Sequence, residues 1–225
     1  MSSGPAPVLA AELIRWSWIG DHLDDIRAAL VQHVQLTVLA VLLGLLLAFP
    51  LALAAVRWPR LYGPILGLTG VLFTIPSLAL FILLIPFTGL QIQTALIGLT
   101  IYTLLILVRN IVEGLRGVDN DVREAAQAMG YTRARQLFQV ELPLALPVII
   151  AGIRIATVTT IGLVTVTALI GWGGLGQLFI EGFTLNFGTP IVVGIVLSAL
   201  LAFTADLLLV GLQHRLTPWA RSGGR

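Results

Sequence analysis

Five apolar stretches decide what this chain can become. They run at about 33–56, 63–87, 94–113, 145–170 and 189–212. Each approaches the roughly 20 residues a helix needs to cross the hydrocarbon of a bilayer. Lipid offers no water to peptide groups, so such a segment must satisfy its own backbone as a helix. Composition agrees: 57% of the 225 residues are hydrophobic and 11% charged, with mean hydropathy +0.98. An average soluble domain is about 25% charged. The expected fold is all-α, a polytopic membrane protein with five transmembrane helices.

The arginines orient these spans. Arg57 and Arg60 follow the first; Arg109, Arg116, Arg123, Arg133 and Arg135 lie at or between the third and fourth; Arg215, Arg221 and Arg225 follow the fifth. Five crossings put all three groups on one side, with only Arg15 and Arg27 on the other, and the positive-inside rule makes the arginine-rich side cytoplasmic. The N-terminus is then outside and the C-terminus inside. The same clustering explains a pI near 9.7 without a nucleic-acid partner. The expected organisation is an external tail with an interfacial helix over 1–32, a transmembrane domain over 33–213 and a cytoplasmic tail over 214–225. Trp16 and Trp18 suit the membrane interface, and Asp21 is a candidate cap for a short helix carrying Leu23, Ile26 and Leu30 on one face. That helix reads equally as a surface elbow or as a lead-in to the first span. No cleavable signal peptide is expected, because the first residues lack a basic region followed by an apolar one.

Several residues inside the spans are candidates for function. Pro50 interrupts the first span, and Pro76, between Thr74 and Ser77, the second. A proline frees a backbone carbonyl, so it marks either a bend lining a path or a packing kink. Thr157 and Thr160 lead a run of threonines in the fourth span that either line a polar path or bond back to their own helix. Arg154 and Asp206 are opposite charges at matched depth in the fourth and fifth spans. They read as an intramembrane ion pair, with a substrate or gating role as the second reading. Arg109 and Asn110 are expected to snorkel. Gly171 to Gly176 matches GxGxxG, but a membrane span precedes it where a dinucleotide site needs a strand. A tight external turn is expected instead. His22, His33 and His214 show no ligand spacing, so no metal site is expected, and the absence of Cys excludes disulfides and thiolate chemistry. Without a lysine there can be no Walker A motif, so the chain is not expected to be an ATPase or to bind a cofactor.

The longest strongly polar run between apolar segments is DNDVREAAQAMGYTRARQLFQVELPLALP, residues 119–147. Asp121 and Glu124 have the spacing of an N-cap and its third helical residue. Gly130 interrupts the helix, and Pro143 and Pro147 are expected to stop one helix and open the next.

Glu124-Ala125-Ala126, then Gly130, then Leu142-Pro143, resembles the EAA signature of ABC-importer permeases. From about His33 to Pro218 the chain resembles permeases of osmoprotectant importers, which carry glycine betaine, choline, carnitine or proline betaine. Thr74 to Leu80, Leu115 to Asp119, Leu142 to Ile149 and Gly173 to Gly176 carry that likeness. The resemblance implies a type I importer (MetI-like) permease fold. It makes about 121–139 a cytoplasmic coupling helix that docks into an ATPase, with Glu124, Ala125, Ala126 and Gly130 as coupling residues. Glu124 also reads as a simple cap for its own helix. The implied partners are a cytoplasmic ABC ATPase that binds ATP and Mg, a second permease copy or a sister permease, and an extracytoplasmic substrate-binding protein. The implied location is a bacterial or archaeal inner membrane. Two other functions compete: a methionine or other amino-acid importer permease, and a self-sufficient secondary transporter or channel. The last predicts inverted repeats, and the sequence has none.

Overall fold

The computed structural model describes residues 14–221, which contain no strand. A short helix α1 (Trp16–Asp21) leads into α2 (Leu23–Arg57). Asp21 closes α1 instead of capping a helix of its own, and His22 is the break between the two. Leu23, Ile26 and Leu30 therefore belong to the first turns of α2. At 35 residues, α2 is about 52 Å long and exceeds the membrane's thickness. It passes through Pro50 without interruption.

The second apolar stretch is not a straight span. It divides into α3 (Pro59–Thr74) and α4 (Ser77–Thr88), which meet at 96°. The cause is local: a proline drives the residue before it out of helical geometry, and Ile75 has ψ 128. The Ile75 carbonyl, out of the ladder, accepts the Tyr102 hydroxyl.

Packing shows what this bent pair does. Helix α5 (Ile92–Arg116) runs parallel to α2. Leu36 and Ala40 share a cluster with Ala95 and Leu99, Gly44 lies against Thr103, and Arg116 Nη2 donates to the Ala55 carbonyl at 3.3 Å. Because like ends of α2 and α5 coincide, the chain between them must traverse the bundle. The bent pair is a broken span and supplies the fifth crossing.

Helix α8 (Leu142–Val166) is antiparallel to α5, with Gly114 against Ala145 and Gly152 against Asn110. After a short α9 (Gln177–Thr184), the last helix, α10 (Gly188–Leu216), is antiparallel to α8, where Gln213 Nε2 reaches the Pro147 carbonyl at 3.5 Å. Arg57, Arg116, Arg133 and Arg215 consequently gather at one end. Small residues allow the close approach. Ala48, Ala52 and Ala55 of α2 meet Leu107, Val108 and Ile111 of α5 and Ala145 and Ala156 of α8. Lipid tails are as apolar as leucine, so helices associate there through such contact. Helix α10 is the least covered, with Ile195, Leu200, Phe203 and Leu208 each more than half exposed.

Candidate functional site

At the arginine-rich end, the polar run forms α6 (Asn120–Ala128) and α7 (Arg133–Gln136). The N-cap of α6 is Asp119 and not Asp121: the Asp119 carboxylate accepts the Asp121 N–H at 3.0 Å. Two acids compete for the role, and the one with extended ψ, 139 at Asp119, can turn its side chain back onto the helix. Glu124 therefore lies beyond capping reach and is exposed. Gly130, at φ 79, ends α6. Its N–H bonds the Gln127 carbonyl at 2.9 Å, and that of Tyr131 bonds Ala126 at 3.1 Å, a pair of bonds that needs a left-handed residue.

The expected single helix over 121–139 is thus two. The second does not stop at Pro143. A wider turn at Leu137–Glu141, with five-residue hydrogen-bond spacing, joins α7 to α8, so one helical path runs Arg133–Ile170. This turn lies directly before Pro143 and accommodates a ring that would clash in a regular helix. Pro147 sits inside α8.

The two faces of α6 differ. Ala126 is 1% exposed and faces the bundle. Ala125, Glu124 and Gly130 are exposed, and Val122, Ala125 and Met129 form an apolar row at helical spacing. The inner face is braced by Arg123, whose Nη2 donates to the Leu115 carbonyl at 2.5 Å and Nη1 to Asn120 Oδ1 at 3.2 Å. Its Nε lies 3.8 Å from Glu141, which also accepts from Gln136 Nε2 at 2.8 Å. Sequence reasoning used Arg123 only for sidedness; its partners come from three different segments.

The opposite end holds a second feature that the sequence did not reveal. A short tight helical turn, Thr167–Ile170, ends at Gly171 with φ 88, and Gly173 to Gly176 fold back into the bundle, all buried. The expected tight turn is therefore a wedge between α2 and α8. His33 of α2, fully buried, fastens it. Its Nε2 donates to the Ile161 carbonyl at 3.0 Å, and its Nδ1 accepts the Leu175 N–H at 3.3 Å. That network assigns the ring proton to Nε2. Gln32 adds a bond from the Gly174 N–H at 2.9 Å. His33 had no local signal, since its partners lie 128 and 142 residues away.

Thr74 and Pro76 are exposed at the bend of the broken span, Ser77 half-buried. The Thr74, Thr157 and Thr160 hydroxyls bond carbonyls of their own helices at 2.7, 2.8 and 2.7 Å, and Thr160 is buried. Arg109 pairs on the surface with Glu113 at 2.8 Å, and Asn110 bonds the Ile106 carbonyl. Arg154 and Asp206 meet across α8 and α10: Nε to Oδ1 is 2.8 Å and Nη2 to Oδ2 is 2.9 Å. Their side chains are 30% and 33% exposed. No group of three metal-ligating side chains occurs among the described residues.

A bundle of five crossings with a short amphipathic helix displayed beyond one end is a polytopic membrane protein that holds a polar helix outside its apolar spans. The chain belongs to the family of inner-membrane components of binding-protein-dependent transport systems, whose model matches residues 40–218. It is 38% identical to the choline transport system permease protein OpuBB of Bacillus subtilis strain 168, over 83% of this chain and 86% of that one. It is also 38% identical to the osmoprotectant import permease protein OsmW of Salmonella typhimurium strain LT2, covering 88% and 94%. The fold is that of an inward-facing structure of the MetNI methionine ABC transporter, with TM-score 0.75, 23% identity, and 83% and 93% of the two chains covered. Permeases of this family are multi-pass inner-membrane subunits that work with an ATPase and a binding protein and are not themselves ATPases.

Proposed function

We propose that this chain is the permease of an ABC importer for quaternary-amine osmoprotectants such as glycine betaine, choline and carnitine. The observation that carries the reading is the 38% identity to choline and osmoprotectant permeases over more than four-fifths of both chains. The displayed face of α6, with Val122, Glu124, Ala125 and Met129, is the docking surface for a cytoplasmic ATPase, and Gly130 sets where that helix ends. ATP itself binds in the partner. Helix α7 continues into α8, so a push on docked α6 passes through the turn at Gly130 and the Arg123–Glu141 contact into the fourth span. A second copy or a sister permease completes the path, and a binding protein delivers substrate at the opposite end. This rigid-body exchange between inward- and outward-facing states is of the hinge-and-shear kind.

The test is reconstitution of the permease with its ATPase and binding protein in liposomes. ATP-dependent uptake of glycine betaine, choline or carnitine is expected, and uptake of methionine with none of these would overturn the reading. The arginine-rich end faces the cytoplasm in this scheme, and the N-terminus lies outside. Because the chain has no cysteine, a single cysteine at Gly117 should resist impermeant thiol reagents in intact cells. One at Ser3, beyond the described residues, should react. Labelling at Gly117 from outside would put the docking helix on the wrong side.

A further inference from the structure

We propose that Arg154 and Asp206 form a binding station for a zwitterion in the translocation path, the guanidinium taking a carboxylate and the Asp206 carboxylate a quaternary ammonium. The inference rests on the osmoprotectant reading above and adds a site to it. Arg154 lies roughly 18 Å along α8 from Leu142, and Asp206 roughly 15 Å from the end of α10 at Leu216. Both fall inside the spans at about 145–170 and 189–212, within a hydrocarbon layer about 30 Å thick. Charges at that depth face a water-filled cavity or other protein, not lipid. Yet in the protomer each side chain of the pair keeps about a third of its surface open. This face of α8 and α10 is therefore open to something other than lipid.

The pair itself selects the chemistry. A lone cation or anion that broke it would leave one charge without a partner in a low-dielectric setting, which is strongly unfavourable. A zwitterion replaces both partners at once. The side-on Arg154–Asp206 geometry presents two parallel N–H donors, the form in which guanidinium recognises a carboxylate. Phe203 lies three residues before Asp206, on the same face of α10, and is 64% exposed. An aromatic face beside a carboxylate suits a quaternary ammonium.

The cysteine-free background allows a direct test in the assembled transporter. Ala202→Cys places a thiol one turn from Asp206. A charged, water-soluble thiol reagent should modify it. Glycine betaine should slow the reaction at least fivefold, whereas choline, which has no carboxylate and passes with the ion pair intact, should slow it less than twofold. In the Arg154→Gln, Asp206→Asn background, which leaves no unpaired charge, betaine protection should disappear while ATPase retention is kept. If that background does not assemble, Arg154→Lys should raise the betaine concentration for half-protection about tenfold. Absence of labelling at position 202 would overturn the proposal. So would equal protection by betaine and choline, or protection that survives the neutral pair or is unchanged in Arg154→Lys. Uptake of glycine betaine, choline and carnitine by the unsubstituted transporter is measured alongside: absence of all three refutes the osmoprotectant reading, whereas uptake of choline alone, or failure confined to the protection assay, refutes only this site.

Discussion

Gly174→Val should leave almost no assembled permease in the membrane. Gly174 has φ 51, a region that a β-branched residue adopts only with strain. Its new Cβ would also lie 2.6 Å from His33 Cβ and 2.7 Å from His33 Cα. A backbone cannot yield as a flexible side chain can, so the wedge must leave its seat. That breaks the bonds from Gly174 to Gln32 and from Leu175 to His33. Left-handed geometry costs about 1–2 kcal/mol, and each polar group left buried and unpaired about 1–3 kcal/mol. Together these rival much of a typical stability of about 5–15 kcal/mol. The measurement is the yield of monodisperse, detergent-extracted permease. His33→Leu should fall short of wild type less severely, since the wedge can keep its position. Gly70→Ala, with open space around the new Cβ, should match wild type. Normal yield of Gly174→Val would mean that the loop is not seated between α2 and α8.

Gly130→Asp should do the reverse: normal permease in the membrane, but no ATPase held on it. Nothing lies within 4 Å of a Cβ built at Gly130, so the cost is that of the left-handed backbone at φ 79, which aspartate adopts more readily than most residues, and the packing of the bundle is untouched. The effect is confined to the end of α6. A carboxylate there faces the negative end of the helix dipole, next to Met129, which is 69% exposed on the docking face. Gly130→Asn separates the causes, because asparagine tolerates left-handed geometry without a charge. Binding-protein-stimulated hydrolysis should drop more than tenfold in the aspartate variant and less than threefold in the asparagine one. Glu124→Ala should be mild, as the apolar row remains. If ATPase co-purifies normally with Gly130→Asp and stimulation is intact, α6 is not the docking helix.

Much of this architecture was legible without coordinates, and the reasons are physical. A peptide in lipid has no partner but itself, so a run of about 20 apolar residues is a helix whatever surrounds it. Arginine placement then orders the helix ends, and the structure gathers Arg57, Arg116, Arg133 and Arg215 at one end through contacts such as Arg116 to Ala55. The bend at Pro76 was local enough to anticipate. Its angle of 96° and the Tyr102 hydroxyl that meets the freed Ile75 carbonyl were not.

What the sequence determined by itself is what each backbone segment can satisfy alone: the helical state, the membrane location and the polar segment outside it. Tertiary structure alone decided which side chains meet. Asp119 rather than Asp121 caps α6 because of one extended ψ, and Arg123 braces that helix through carbonyl and carboxylate groups from neighbouring segments. His33 became a fastener only when the glycine wedge arrived beside it from 142 residues away. Hydrogen bonds within a helix join residues four apart, so they can be read along the chain. Those made by buried side chains depend on which helices lie side by side, and that is settled by the fit of small residues such as Gly44 against Thr103 and Gly152 against Asn110.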